Sequence, residues 1–229
     1  MVDYFNFENK DLDFPFYNNN PKISKLKWLL LFVVLFIGFI LQGLFRSQTL
    51  GGIIGLALIL VVLFYTLDWD YKKIFQKPSR NDILLAIGLF ISYIIYAIVM
   101  TNILDYFALS STSSNPLGIT ITLDSTIALF PALMIEELLK FIPFSLLLTV
   151  LYKFTNNRKV SVIITTFLIL ILFGLIHYTQ DNTIISVLVI QGFGSIFEYI
   201  GYIKTKNILV CYITHLLTDL LGFMSVFIT

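Results

Sequence analysis

The sequence predicts an all-α protein, a polytopic transmembrane helical bundle of about seven spans. Of the 229 residues, 58% are hydrophobic and 13% are charged, whereas soluble domains have about 45–50% apolar and about 25% charged residues. The mean hydropathy is +0.89. The apolar residues also come in blocks of about 20, the length that crosses ~30 Å of hydrocarbon. These observations place the chain in the lipid bilayer.

Composition excludes two other kinds of protein. The net charge of +1 leaves no basic face for nucleic acid, so no nucleic-acid partner is expected. The single cysteine, Cys211, excludes a disulfide within the chain.

The first residues lack the pattern of a signal peptide. Residues 1–27 are therefore expected to form a cytoplasmic N-terminal tail, followed by a transmembrane domain at 28–229.

Apolar blocks and breakers define the individual spans. Gly51 and Gly52 separate the first two blocks, the run 77–81 separates the next pair, and the longest loop, 104–125, contains Pro116. The spans predicted from these boundaries are 28–45, 51–67, 83–103, 126–152, 160–178, 184–203 and 208–228.

Basic residues orient these spans. Thirteen of the 15 Lys and Arg residues fall in the N-terminal tail and in alternate loops, so all thirteen lie on one side. Arg46 lies on the other side, and Lys140 lies inside the fourth span. The positive-inside rule then predicts a multi-pass plasma-membrane protein with a cytoplasmic N-terminus and, after seven spans, an extracellular C-terminus.

Ionisable residues inside the spans are the strongest functional signal. A charged group at the centre of a span costs about 2.5–3.5 kcal/mol even on the lenient insertion scale, so such groups pair, face a cavity or carry out a function. Both histidines of the protein belong to this set. Its members are Glu136, Glu137 and Lys140 in the fourth span, His177 at the end of the fifth, Glu198 in the sixth, and His215 and Asp219 in the seventh.

Their spacing predicts local partners. Lys140 lies one turn beyond Glu136 and Glu137, so it can pair with one carboxylate and leave the other free for chemistry. Asp219 lies one turn beyond His215 and can accept its ring N–H, which fixes the tautomer. Two imidazoles and two carboxylates suffice to bind zinc with a general base to spare, and they also suit a proton relay. Zinc is therefore a candidate cofactor, with Glu136, His177 and His215 as candidate ligands.

Each group also has a structural interpretation. Glu137 and Lys140 alone make an intramembrane salt bridge, and His177 suits a wet interface at a span end. His215 and its Asp neighbour can form a hydrogen bond that packs helices together. Glu198 can be a structural carboxylate bonded to a nearby tyrosine.

Three motifs resemble those of the CAAX-protease and bacteriocin-processing family, whose pattern is Glu-Glu-x-x-x-Arg, Phe-x-x-x-His and His-x-x-x-Asn or Asp. The resemblance covers about 125–222, which would be the protease-like core. The matching segments are Glu136-Glu137-Leu-Leu-Lys140, Phe173-Gly-Leu-Ile-His177 and His215-Leu-Leu-Thr-Asp219.

The resemblance implies an intramembrane endopeptidase that acts on a membrane-proximal peptide or protein. Glu136 would activate water together with His177, while His215 and Asp219 would stabilise the oxyanion or complete a metal site. Glu137 would support the catalytic residues or ligate the metal. The family is usually described as a metalloprotease family, and a metal-free glutamate mechanism has also been argued for it.

Two positions depart from the usual family pattern. Lys140 stands in place of Arg, which removes a bidentate fork and leaves a point charge. The sequence Glu-Glu-x-x-Lys also resembles the motif of a related family, the bacterial glutamate-dependent site-one proteases. Asp219 in place of Asn adds a negative charge, which would hinder an oxyanion unless the carboxyl is protonated or metal-bound.

Two alternative functions use the same residues. One is a non-catalytic membrane scaffold or bacteriocin self-immunity protein of the same fold. The other is a proton-coupled transporter that uses Glu198 and the histidines as a relay.

Counting residues from the span ends predicts a mismatch in depth. Glu136 would lie ~14 Å below the outer end of its span and His215 only ~11 Å above the inner end of the last span. A non-helical stretch around 204–207 that dips into the protein would bring these groups together, since irregular backbone is tolerated where it is buried.

Overall fold

A computed structural model describes residues 22–110 and 122–228, with side chains up to residue 222. The described residues form helices and contain no strands, which confirms the all-α bundle. Most of the predicted tail and half of the longest loop lie outside the described residues. The helices are α1 (Lys25–Leu44), α2 (Gln48–Thr66), α3 (Arg80–Tyr106), α4 (Leu123–Thr155), α5 (Arg158–Ile176), α6 (Ile184–Val187), α7 (Ile196–Thr205) and α8 (Ile208–Ile228).

The segment 184–205 is one continuous helical rod of mixed geometry. A π-helical turn at Leu188–Gly192 and a 3-10 turn at Phe193–Ser195 connect α6 to α7. With α6 and α7 counted as this rod, each of the seven predicted spans corresponds to one helical segment. Five of these segments are long and apolar enough to cross a membrane: α1, α2, α3, α5 and the rod.

Hydroxyl side chains set where four of these helices begin. Each helix starts three residues before its predicted span, because the spans were placed by hydrophobicity and the capping residues are polar. At every one of these starts a hydroxyl oxygen accepts a backbone N–H, which satisfies a donor that the first turn leaves unpaired. The capping residues are Ser24, Ser47, Ser79 and Thr122.

Helix α4 lies at the centre of the bundle. It packs against α1, α2, α5 and α8, and its fully buried side chains include Leu133, Ile135 and Leu138. Pro131 and Pro143 lie inside the helix on either side of the turn that carries its charged residues. Neither proline has an N–H to donate, a loss that transmembrane helices tolerate. Because of this central position, the side chains of α4 that face the neighbouring helices are buried.

Two glycines let α5 and the rod touch backbone to backbone. A Cβ on Gly192 would lie 2.7 Å from the carbonyl oxygen of Leu170, and one on Gly174 would lie 3.0 Å from that of Val187. Only glycine fits at such an approach. The contact draws the C-terminal end of α5 against the π-helical turn.

The connection between α7 and α8 lies inside the protein. Lys206 ends α7 in the left-handed region, with φ of 55°, and both Lys206 and Asn207 are buried. The Asn207 side chain donates to the carbonyl oxygen of Gln76 at 2.8 Å, and the backbone N–H of Ile208 donates to that of Ile74 at 3.0 Å. The non-helical break expected around 204–207 is thus present at Lys206 and Asn207, and both residues are buried in the protein.

Candidate active site

A cavity of about 570 Å³ lies among α4, α5, the rod and α8. Four of the five predicted catalytic residues line it: Glu136, His177, His215 and Asp219. Glu137, the fifth, is only 4% exposed and is not among the lining residues. The bundle therefore gathers the ionisable groups of four helical segments around one cavity.

Glu136 and Asp219 both lie near the Nε2 atom of His215. The Nε2 atom of His215 is 3.9 Å from Oε2 of Glu136 and 3.8 Å from Oδ1 of Asp219. Both separations exceed a direct hydrogen bond, and the first suits two groups that share a water molecule. The predicted hydrogen bond from His215 to Asp219 is therefore wrong.

Glu137 takes the role that was expected of Asp219. Its Oε1 atom lies 2.7 Å from Nδ1 of His215. Because a carboxylate only accepts, Nδ1 carries the proton. The neutral ring then has its lone pair on Nε2, which faces Glu136 and Asp219. A carboxylate on α4 thus fixes the tautomer of a histidine on α8.

His177 is held by the end of its own helix. It follows α5 directly, and its Nδ1 lies 2.8 Å from the carbonyl oxygen of Phe173. A carbonyl only accepts, so Nδ1 donates and Nε2 becomes the acceptor of the neutral ring. The Phe173 ring lies 4.6 Å from the imidazole, edge to face. The Phe-x-x-x-His spacing therefore restrains both the position and the tautomer of His177.

Lys140 is the buried cation of the site. Its ammonium lies 2.6 Å from Oε1 of Glu137, which confirms the predicted pair within α4. It also bonds Glu198 on α7 and lies 4.5 Å from the centre of the Phe173 ring. Glu198 thus has a cation as its partner, and the neighbouring Tyr199 donates to the backbone carbonyl of Lys140 at 3.3 Å.

Two sets of residues are candidate ligands of a metal ion. Among the described residues, one group of three has its potential ligand atoms within 4.8 Å of one another: Glu137, Glu198 and His215. The Lys140 ammonium bonds both carboxylates of that group. The predicted set of Glu136, His177 and His215 shares the cavity and presents a carboxylate and two imidazole nitrogens, which is suitable chemistry for zinc. Zinc at that set stays a prediction.

Several lining residues had no counterpart in the sequence analysis. Tyr93 of α3 lines the cavity beside Glu198, and no spacing pattern marks a tyrosine in an apolar span. Gln191 lines it from the π-helical turn, and its Oε1 atom is buried without a hydrogen-bond partner. A polar amide inside an apolar block is the sequence feature that could have identified Gln191.

The comparisons with known proteins agree with these motifs. Residues 118–221 match the family described as Rce1-like, type II CAAX prenyl endopeptidase. No curated protein and no solved structure matches the chain. The matched region contains α4, α5, the rod and most of α8, and with them every predicted catalytic residue. Over 104 of its 229 residues, in the C-terminal half, the chain is therefore similar to the Rce1-like family of type II CAAX prenyl endopeptidases.

Proposed function

We propose that the protein is an intramembrane endopeptidase that hydrolyses a peptide bond in a membrane-proximal peptide, with Glu136 as the general base. The observation that carries this proposal is the cavity that Glu136 shares with both imidazoles. The side chain of Glu136 is 26% exposed and faces this space. A carboxylate that shares a cavity with two oriented imidazoles is suited to the activation of water.

In the proposed reaction, Glu136 and His177 hold a water molecule against the scissile carbonyl. Glu136 takes a proton as the water oxygen bonds the carbonyl carbon, and the carbonyl electron pair moves onto its oxygen. The protonated Glu136 then gives its proton to the leaving nitrogen as the C–N bond breaks. The products are a carboxylic acid and an amine, so atoms and charge balance.

His215 would stabilise the oxyanion when its ring is protonated. The carboxylate of Glu137 at Nδ1 favours that imidazolium, as a buried carboxylate does for the histidine of a catalytic triad. Asp219 lies 3.8 Å from Nε2, where a negative charge opposes an oxyanion. We therefore propose that Asp219 contacts the substrate backbone and not the oxyanion.

Zinc is not needed for these steps. Bound by Glu136, His177 and His215, it would polarise a water or a carbonyl oxygen.

The cavity has a suitable size for a short peptide segment. Its volume of about 570 Å³ lies within the ~300–1,000 Å³ range of ligand pockets. Polar lining groups beyond the ionisable ones, such as Gln191 and Tyr93, can bond the backbone of a bound segment. The substrate class that follows is an unfolded stretch next to a membrane anchor.

The test is hydrolysis by the purified protein in lipid nanodiscs. A library of membrane-anchored peptides is incubated in H₂¹⁸O, and the products are identified by mass spectrometry. Hydrolysis predicts one ¹⁸O in each new C-terminal carboxylate. Glu136→Gln should abolish the products, whereas Asp105→Asn, which changes an exposed carboxylate at the end of α3, should leave them unchanged. Equal product from wild type and Glu136→Gln would exclude Glu136 as the base, and no product from the wild type would favour the non-catalytic scaffold.

A further inference from the structure

The group of Glu137, Glu198 and His215 has the composition of a metal site but contains a lysine. We name these three residues the inner cluster. They are buried, and their ligand atoms lie within 4.8 Å of one another. The ammonium of Lys140 bonds both carboxylates of the inner cluster. A divalent ion that bridged these carboxylates would have to occupy the same space.

We propose that the Lys140 ammonium is the permanent cation of the inner cluster and takes the position of a divalent metal. Glu198, which lies outside the three family motifs, is the positioning residue that holds it there. The proposal concerns which cation fills the inner cluster. It therefore does not depend on whether the protein hydrolyses peptides.

Geometry makes Lys140 hard to displace. It lies one turn from Glu137 on the same helix, so the ammonium is held beside its partner by the backbone and competes with any free ion at a high effective concentration. Only 3% of Lys140 is exposed. Besides the two carboxylates, the ammonium contacts the face of the Phe173 ring, 4.5 Å from its centre. Displacement would leave a buried charge without a counter-ion, which is strongly unfavourable.

The nitrogen atoms of His215 point to the same conclusion. Its Nδ1 donates to the Glu137 oxygen that also accepts from Lys140. A metal bound at Nδ1 would require this N–H to lose its proton and this hydrogen bond to break. The inner cluster is therefore a closed network in which every charged group already has a partner.

Removal of the lysine side-chain charge tests whether the ammonium replaces a metal. Lys140→Met keeps the length and the apolar stem but removes the charge, which leaves two buried carboxylates and an imidazole without a cation. We expect this variant to bind one more Co²⁺ per chain than the wild type. Lys140→Arg, the matched control that keeps the charge, should bind no additional Co²⁺.

The measurement uses full-length protein in detergent, stripped with a chelator and titrated with Co²⁺. Bound metal is counted by elemental analysis, and its ligand field is read from visible absorption. The additional Co²⁺ should disappear when Glu198→Gln is added to Lys140→Met. If Lys140→Met unfolds without metal, we expect Co²⁺ or Zn²⁺ in the medium to restore its folding and thermal stability.

Two results would overturn the proposal. The first is a Lys140→Met protein that neither binds additional Co²⁺ nor is stabilised by it. The second is a wild-type protein whose own bound Co²⁺ is lost on Glu198→Gln, because a metal would then already occupy the inner cluster.

Discussion

The Nδ1 atom of His215 donates to Oε1 of Glu137 across 2.7 Å, in a bond that joins α8 to α4. The same oxygen accepts from Lys140. Glu136, the preceding residue of α4, instead faces the cavity and lies 3.9 Å from Nε2 of His215. The two adjacent glutamates therefore differ in their surroundings: Glu137 is bonded to the imidazole, and Glu136, the proposed base, faces the cavity.

Replacement of the general base should abolish hydrolysis without loss of the protein. Glu136→Gln keeps the shape of the side chain but removes the proton-accepting carboxylate, and general-base catalysis is worth about 10²–10⁴-fold. His177→Ala should lower kcat to a similar extent. The double variant should be little worse than either single variant, because residues that act as one unit are non-additive. Product formation at matched protein level is the measurement, and multiplied effects in the double variant would contradict a shared water.

Glu137→Gln should destabilise the protein, whereas Glu136→Gln should not. The first change weakens buried hydrogen bonds to Lys140 and His215, and hydrogen bonds to charged groups contribute about 1.5–3 kcal/mol each. The second alters a side chain that faces an open cavity. Cys211 is buried and is the single cysteine, so a thiol-reactive fluorophore reports unfolding as the temperature rises. Equal melting temperatures for the two variants would contradict the division of roles.

Gly192→Ala should lower both stability and activity. Its Cβ would meet the carbonyl oxygen of Leu170 at 2.7 Å and push the π-helical turn away from α5. Overpacking of this kind costs about 1–3 kcal/mol, and the shift would move cavity residues on both sides. Gly88→Ala is the matched control, because a Cβ there has no neighbour within 4 Å. Similar melting temperatures for both alanine variants would argue against the close contact.

Peptide hydrolysis should not require a proton gradient. The proposed reaction consumes only water and peptide, so detergent-solubilised protein should retain turnover. A proton-coupled transporter would instead depend on a gradient across sealed vesicles. Substrate accumulation in such vesicles that collapses when a protonophore is added would favour the transporter.

The predicted orientation can be measured directly. We expect a cytoplasmic N-terminus and an extracellular C-terminus, because thirteen basic residues lie on one side of the predicted spans. Reporter fusions at each end, active only in one compartment, distinguish the two sides. If both ends report the same compartment, one helical segment does not cross the membrane.

Local signals predicted the helices and the contact within α4, and they could not predict the contacts between helices. The apolar blocks located all seven segments, and the spacing of Glu137 and Lys140 predicted their pair. The bonds from Lys140 to Glu198 and from His215 to Glu137 join residues 58 and 78 positions apart. Sequence periodicity does not specify which face of α7 or α8 turns toward α4. Asp219 was accordingly assigned a bond that Glu137 makes.

The buried connection at Lys206 and Asn207 makes the register of α8 unusually sensitive to chain length. His215 lies two turns beyond this connection, and Asn207 is anchored to the segment that joins α2 to α3. One residue inserted after Asn207 would turn His215 by about 100° and shift it by about 1.5 Å along the axis. An equal insertion in the connection between α3 and α4 would leave the register of α8 unchanged. In relatives of this chain, length variation should therefore be frequent between α3 and α4 and nearly absent between α7 and α8.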